Sequence, residues 1–136
     1  MKAFYPQLSY TFFIVISIVA LAIILITVNM FTDSIQKNYA YGQLNYVAEN
    51  MKNDILRLYS SNAEGRLELS APKEIIGNQY TIEMNQKNLK LSLNFKDKKI
   101  EVQRFVNISA SLSGKSYAPA SIEMNRTGEN IFIRLV

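Results

Sequence analysis

Hydrophobic residues follow three successive spacings along the chain: an unbroken apolar run, a helical stripe, and strict alternation. The run from Leu8 to Phe31 contains no charged residue. As a helix rising 1.5 Å per residue it would extend roughly 36 Å, enough to cross a hydrocarbon core about 30 Å thick. Ser9, Ser17 and Thr27 are tolerable there, because a hydroxyl can bond back to a carbonyl one turn earlier. The remaining domain is too small to enclose so long an uncharged segment, so the run predicts a transmembrane helix over 8–31. A cleaved secretory signal would carry an apolar stretch of about 7–15 residues and a small-x-small site. Asn29-Met30-Phe31 offers no such site. A short leader-like segment, 1–7, precedes the span.

The period changes after Phe31. Ala40, Leu44, Val47, Ala48, Met51, Ile55 and Leu58 recur at three- and four-residue spacing, with Asn50, Lys52, Asn53, Asp54 and Arg57 on the other face. This predicts an amphipathic stalk helix over 32–61, continuous with the span. Two readings of the stripe stay open. Leu44, Val47, Ala48, Met51, Ile55 and Leu58 are a candidate helix-packing interface with neighbouring subunits, or they pack on the chain's own β domain. Under the first reading, an Asp at Val47 or Met51 would impair assembly and leave the head folded. Tyr39 and Tyr41 suit an outer membrane interface.

Ser60, Ser61, Asn62 and Gly65 end the helix, and the period becomes two. Arg66–Leu69, Tyr80–Met84, Leu89–Phe95, Ile100–Val106 and Asn130–Leu135 alternate apolar with polar residues, as half-buried antiparallel strands do. Asn85–Asn88 reads as the link between the second and third of these. Shorter strands are expected at Ser109–Leu112 and Ser121–Met124, with a loop over Gly114–Pro119 and a turn over Asn125–Gly128. The fold class is therefore α+β: a long N-terminal hydrophobic helix, then a meander of five to seven strands forming a small antiparallel sheet or β-sandwich head over 62–136.

The chain has no cysteine and no histidine. Disulfides, thiolate nucleophiles and Ser-His-Asp chemistry are thereby excluded, together with the commonest metal ligands. The acidic residues are scattered and the five glycines isolated, which gives neither a calcium loop nor a phosphate cradle. No cofactor, catalytic or metal residue is expected, nor a small-molecule substrate, and the chain reads as non-enzymatic. A net charge of +4 without interleaved aromatics argues against nucleic acid as a partner. Lys2 and the α-amino group precede the span, whereas Asp33 and Lys37 cancel after it. The positive-inside rule then favours a cytoplasmic N-terminus and an extracellular C-terminal domain. Asn107-Ile108-Ser109 and Asn125-Arg126-Thr127 are candidate glycosylation sequons, Asn125 being favoured by its expected turn.

The layout resembles the type IV pilin superfamily, and in detail archaeal pilin- and archaellin-like proteins. Gln7-Leu8-Ser9-Tyr10-Thr11, directly before the span, is similar to the Gln-x-Ser-x-Glu pattern of a processed archaeal N-terminus. The segment from Ala71 to Glu83 is similar to a Pro-x-x-Ile-x-Gly-x-x-Tyr-x-Ile stretch of small membrane-anchored proteins of that kind. The resemblance implies a helix that packs among other helices in a filament core and a β-rich head displayed outside. Thr11 stands in place of the family's Glu and Pro6 precedes Gln7, which implies an unprocessed or minor accessory component. The expected function is a structural subunit or accessory component of an archaeal surface filament or secretion system. Its expected partners are membrane lipid and other pilin-like subunits or membrane helices. The alternative is a single-pass, membrane-tethered binding module for an envelope protein or glycan, with Asn130–Leu135 or the 107–121 region offering a sheet edge.

Overall fold

The computed structural model describes residues 4–136, with side chains from Ser9 onward. Lys2, on which the orientation argument rests, lies outside the described residues, as do the side chains of Pro6, Gln7 and Leu8. One helix, α1 (Phe4–Ser61), runs for 58 residues. Seven strands follow: β1 (Gly65–Glu68), β2 (Tyr80–Gln86), β3 (Asn88–Phe95), β4 (Lys98–Phe105), β5 (Ala110–Tyr117), β6 (Ser121–Thr127) and β7 (Asn130–Leu135). The fold is α+β, as the periodicity predicts. The chain divides into two compact units, one through Lys37 and one from Asn38 to Val136.

In the first unit the helix exposes apolar side chains on every side, from Phe13 at 75% to Ile14 at 44%. Its hydroxyls are satisfied internally: Ser17 Oγ donates to the Phe13 carbonyl and Thr27 Oγ1 to that of Ile23, both at 2.8 Å. This is the expected back-bonding one turn earlier, and the helix is long and apolar enough to cross a membrane.

In the second unit α1 covers one face of a single sheet of order β1-β6-β7-β5-β2-β3-β4. Ala40, Leu44, Val47, Ala48, Met51 and Ile55 are at most 2% exposed, and Leu58 packs against the same core. The stripe is thus spent inside its own unit and is not an open interface toward neighbouring subunits. Alternation on the strands supplies the other half of the core: Tyr80, Ile82 and Met84 on β2, Leu89, Leu91 and Leu93 on β3, and Ile122 and Met124 on β6 are all buried. Beyond Ser61 the helix stops at Asn62, whose φ of +52° is the left-handed conformation that ends many helices.

Strand order departs from a simple meander. β2, β3 and β4 do follow one another antiparallel, through Asn85↔Asn88 and Phe95↔Lys98. β5 then returns to the far side of β2, and β6 is laid down two positions further out, leaving a gap one strand wide. β7 enters the gap, antiparallel to β6 and parallel to β5. β5 also runs through Gly114 to Tyr117, where a loop is expected from composition. Gly114 is required inside that strand. Its φ is +122°, and a Cβ there would lie 2.7 Å from Cβ of Leu135 on β7.

Candidate functional surfaces

Side chains that alternate away from the core line the uncovered face of the sheet. Cross-strand register puts Lys115, Glu83, Lys90 and Gln103 in one row, and Tyr117, Thr81, Ser92 and Glu101 in the next. Glu101 is the hub of a charge cluster. Lys90 Nζ lies 3.1 Å from its Oε2, Lys99 pairs with its other oxygen, and Ser92 Oγ donates to that oxygen at 3.3 Å. The hydrogen bonds from Lys99 and then Lys90 hold the carboxyl at about 2, well below the usual carboxylate range. Among the described residues no three acidic side chains are grouped so as to hold a metal ion.

A second cluster ties α1 to the outermost strand. Arg104 Nε on β4 donates to Glu49 Oε2 at 3.1 Å, while another guanidinium nitrogen donates to Asn45 Oδ1. Glu49 is also bridged to Lys52 at 3.2 Å. Farther along the helix, Asp54 Oδ2 accepts from the Ser70 backbone at 3.1 Å. These residues join elements far apart in sequence, so nothing in the spacing of polar positions singles them out. The Glu101 cluster was nearer to hand, since the Phe95↔Lys98 register of the β3–β4 hairpin puts Ser92 opposite Glu101.

The segment behind the Pro-x-x-Ile-x-Gly-x-x-Tyr-x-Ile resemblance forms a compact approach to β2. Ile75 and Asn78 pair across a tight turn in which Ile76 and Gly77 have φ of +51° and +67°. Tyr80 is buried, and its hydroxyl donates to the Pro72 carbonyl at 2.8 Å, anchoring the start of this loop. Burial pushes the phenol up to about 12.

The open edges of the sheet are β1 and β4. Asn130–Leu135 and the 107–121 region do not supply them. β7 is hydrogen-bonded on both sides by β6 and β5, and β5 by β7 and β2. β4 instead presents an eight-residue outer edge bearing Lys98, Lys99 and Arg104.

The two sequons have different surroundings. Asn107 and Ser109 are exposed between β4 and β5, but Ile108 between them is 5% exposed and belongs to the core. Asn125, Arg126 and Thr127 are all exposed. They lie within β6, not in the expected turn, because the strand extends until Thr127↔Asn130 closes the hairpin at Gly128.

No curated protein and no solved structure matches the chain. One family model matches over residues 2–136, essentially the whole length, and the chain therefore belongs to DUF7266, a family of unknown function.

Proposed function

We propose that this chain is a non-enzymatic, pilin-like structural subunit or accessory component of a surface filament or secretion system, held in the membrane by the first part of α1. The observation that carries this reading is the division of labour along one unbroken helix. Its apolar part has no intramolecular cover, with Phe12, Ile16, Leu21 and Ile26 all more than half exposed. Its later part is covered by the head. A face that is apolar all round belongs in lipid or among other helices. Assembly contacts are therefore assigned to the anchor, where Ser17, Ala20 and Ala22 allow close approach, and not to the stripe from Leu44 to Leu58. The resemblance of Gln7–Thr11 and Ala71–Glu83 to archaeal pilin-like proteins supports the same reading. So does the scarcity of catalytic side chains in a sequence without histidine or cysteine. With this role goes a cytoplasmic N-terminus and an exported head.

The test is stoichiometry. Quantitative mass spectrometry of sheared surface filaments and washed membranes from the native cells should find the chain in the filament fraction, or in constant ratio to filament components in the membranes. A chain confined to membranes and paired one-to-one with a single envelope protein would overturn the filament reading. That result would favour a tethered binding module using the open β4 edge.

A further inference from the structure

We infer that Asn125 is the glycan acceptor of the head and that Phe132 is the platform on which the first sugar rests. This rests on the exported orientation proposed above. A transferase must draw an Asn-x-Ser/Thr tripeptide into its own site, so none of its three side chains can be locked in the core. In the folded head Asn125-Arg126-Thr127 meets that condition: all three side chains are exposed near the end of the β6–β7 hairpin, where the pairs to β7 and the 3.0 Å bond from the Arg126 N–H to Glu64 Oε1 are what must open. Asn107-Ile108-Ser109 does not, because Ile108 is built into the core.

Register supplies a second, independent observation. Asn125 on β6 is directly opposite Phe132 on β7, so both side chains emerge on the same face and within contact distance of each other. Phe132 is 44% exposed, and register sets Ser111 on β5 and Asn125 on β6 directly beside it. Both of its directly paired neighbours are polar, so neither offers the ring an apolar partner. The apolar C–H face of a pyranose attached to Asn125 would cover the ring in the manner that aromatic surfaces accept apolar area. Thr127 lies on the same face, opposite Asn130.

The chemistry is substitution at an anomeric carbon. Asn125 Nδ2 attacks C1 of an oligosaccharide carried on an isoprenoid phosphate, and the new C–N bond forms as the C1–O bond to phosphate breaks. The lipid phosphate leaves with the bonding pair, and the amide proton passes to a carboxylate base of the membrane-bound transferase.

The experiment is glycopeptide mass spectrometry of the full chain from native membranes. Trypsin cuts after Arg104, Lys115 and Arg126 and so puts the two sequons in different peptides. The expected result is a hexose- or hexosamine-containing mass increment on peptide 116–126, lost in Asn125→Gln. Sugar on peptide 105–115 alone, or on neither, would overturn the site. Protease protection of intact cells separates the two causes of an unmodified chain. A cytoplasmic head sinks the orientation as well, whereas an exported, bare Asn125 sinks only this inference. For the platform, wild type should melt at a higher temperature than Asn125→Gln. In a Phe132→Ala background, with occupancy kept, that difference should vanish. If it persists, Phe132 is not the resting surface.

Discussion

Tyr80 shows how one side chain carries two demands. Its ring fills the core beneath α1, and its hydroxyl holds the Pro72 carbonyl at 2.8 Å. Replacement by Phe keeps the ring and leaves that carbonyl without its donor, so it should cost about 0.5–1.5 kcal/mol in a denaturant titration of the head. The pH response has a definite sign. Burial raises the folded-state value to about 12 from the ordinary 10.0 of a tyrosine, so the neutral phenol is the form that folding protects. Its contribution is complete below pH 10 and is lost as pH rises through 12. Tyr80→Phe should flatten the stability curve of the head in that window. An unchanged alkaline limb would mean that other groups control it. Gly114 gives a sharper case. With φ at +122° and Leu135 2.7 Å from a would-be Cβ, Gly114→Ala must displace β7 or β5. The loss should exceed about 1 kcal/mol, read as a lower denaturant midpoint. By contrast, exposed Gly42 on α1 meets nothing within 4 Å.

At the level of elements, the periodicities identified nearly everything. The helix ends at Ser61 and the last strand spans Asn130–Leu135, both as the residues suggest. The second half of β5, beyond the short strand expected at Ser109–Leu112, escaped because Ser, Gly and Lys make a poor strand by composition. The strand is held by partners on both sides, Met84↔Gly114 on β2 and Leu112↔Ile133 on β7, and tertiary pairing overrides propensity there. The stalk stripe bears the largest consequence. Met51 is 0% exposed against the sheet, so Met51→Asp would bury a charge with no counterion. We expect it to unfold the head, a loss on the order of 3 kcal/mol or more. Circular dichroism and limited proteolysis check this; a head that stays folded but fails to assemble would restore the stripe as an intermolecular interface.

For the whole molecule, the independently folding part begins before the first strand. The compact unit runs from Asn38 to Val136, since the stripe on α1 is buried in one core with the sheet's inner face. A fragment of residues 38–136 should therefore be soluble and cooperative in thermal melting. A fragment of 62–136 should aggregate or remain unfolded, because it would expose Ile82, Leu91, Leu93 and Ile122 together. Cooperative melting of the shorter fragment would show that the helix is dispensable to the core.

The long apolar helix, the helix end, most of the strands and the α+β class were determined by sequence alone. Each follows from local spacing, which neighbouring residues enforce through helical or pleated geometry. Candidate acceptors such as Asn125 are legible in the same way, as tripeptides. What the stripe packs against, which strands lie at the edges, and whether Asn125 has an aromatic ring opposite it were decided only by the tertiary structure. Those depend on pairings such as Arg104 with Glu49 and Leu112 with Ile133. Such pairs are distant along the chain and are selected by how a shared core closes, which no periodicity records.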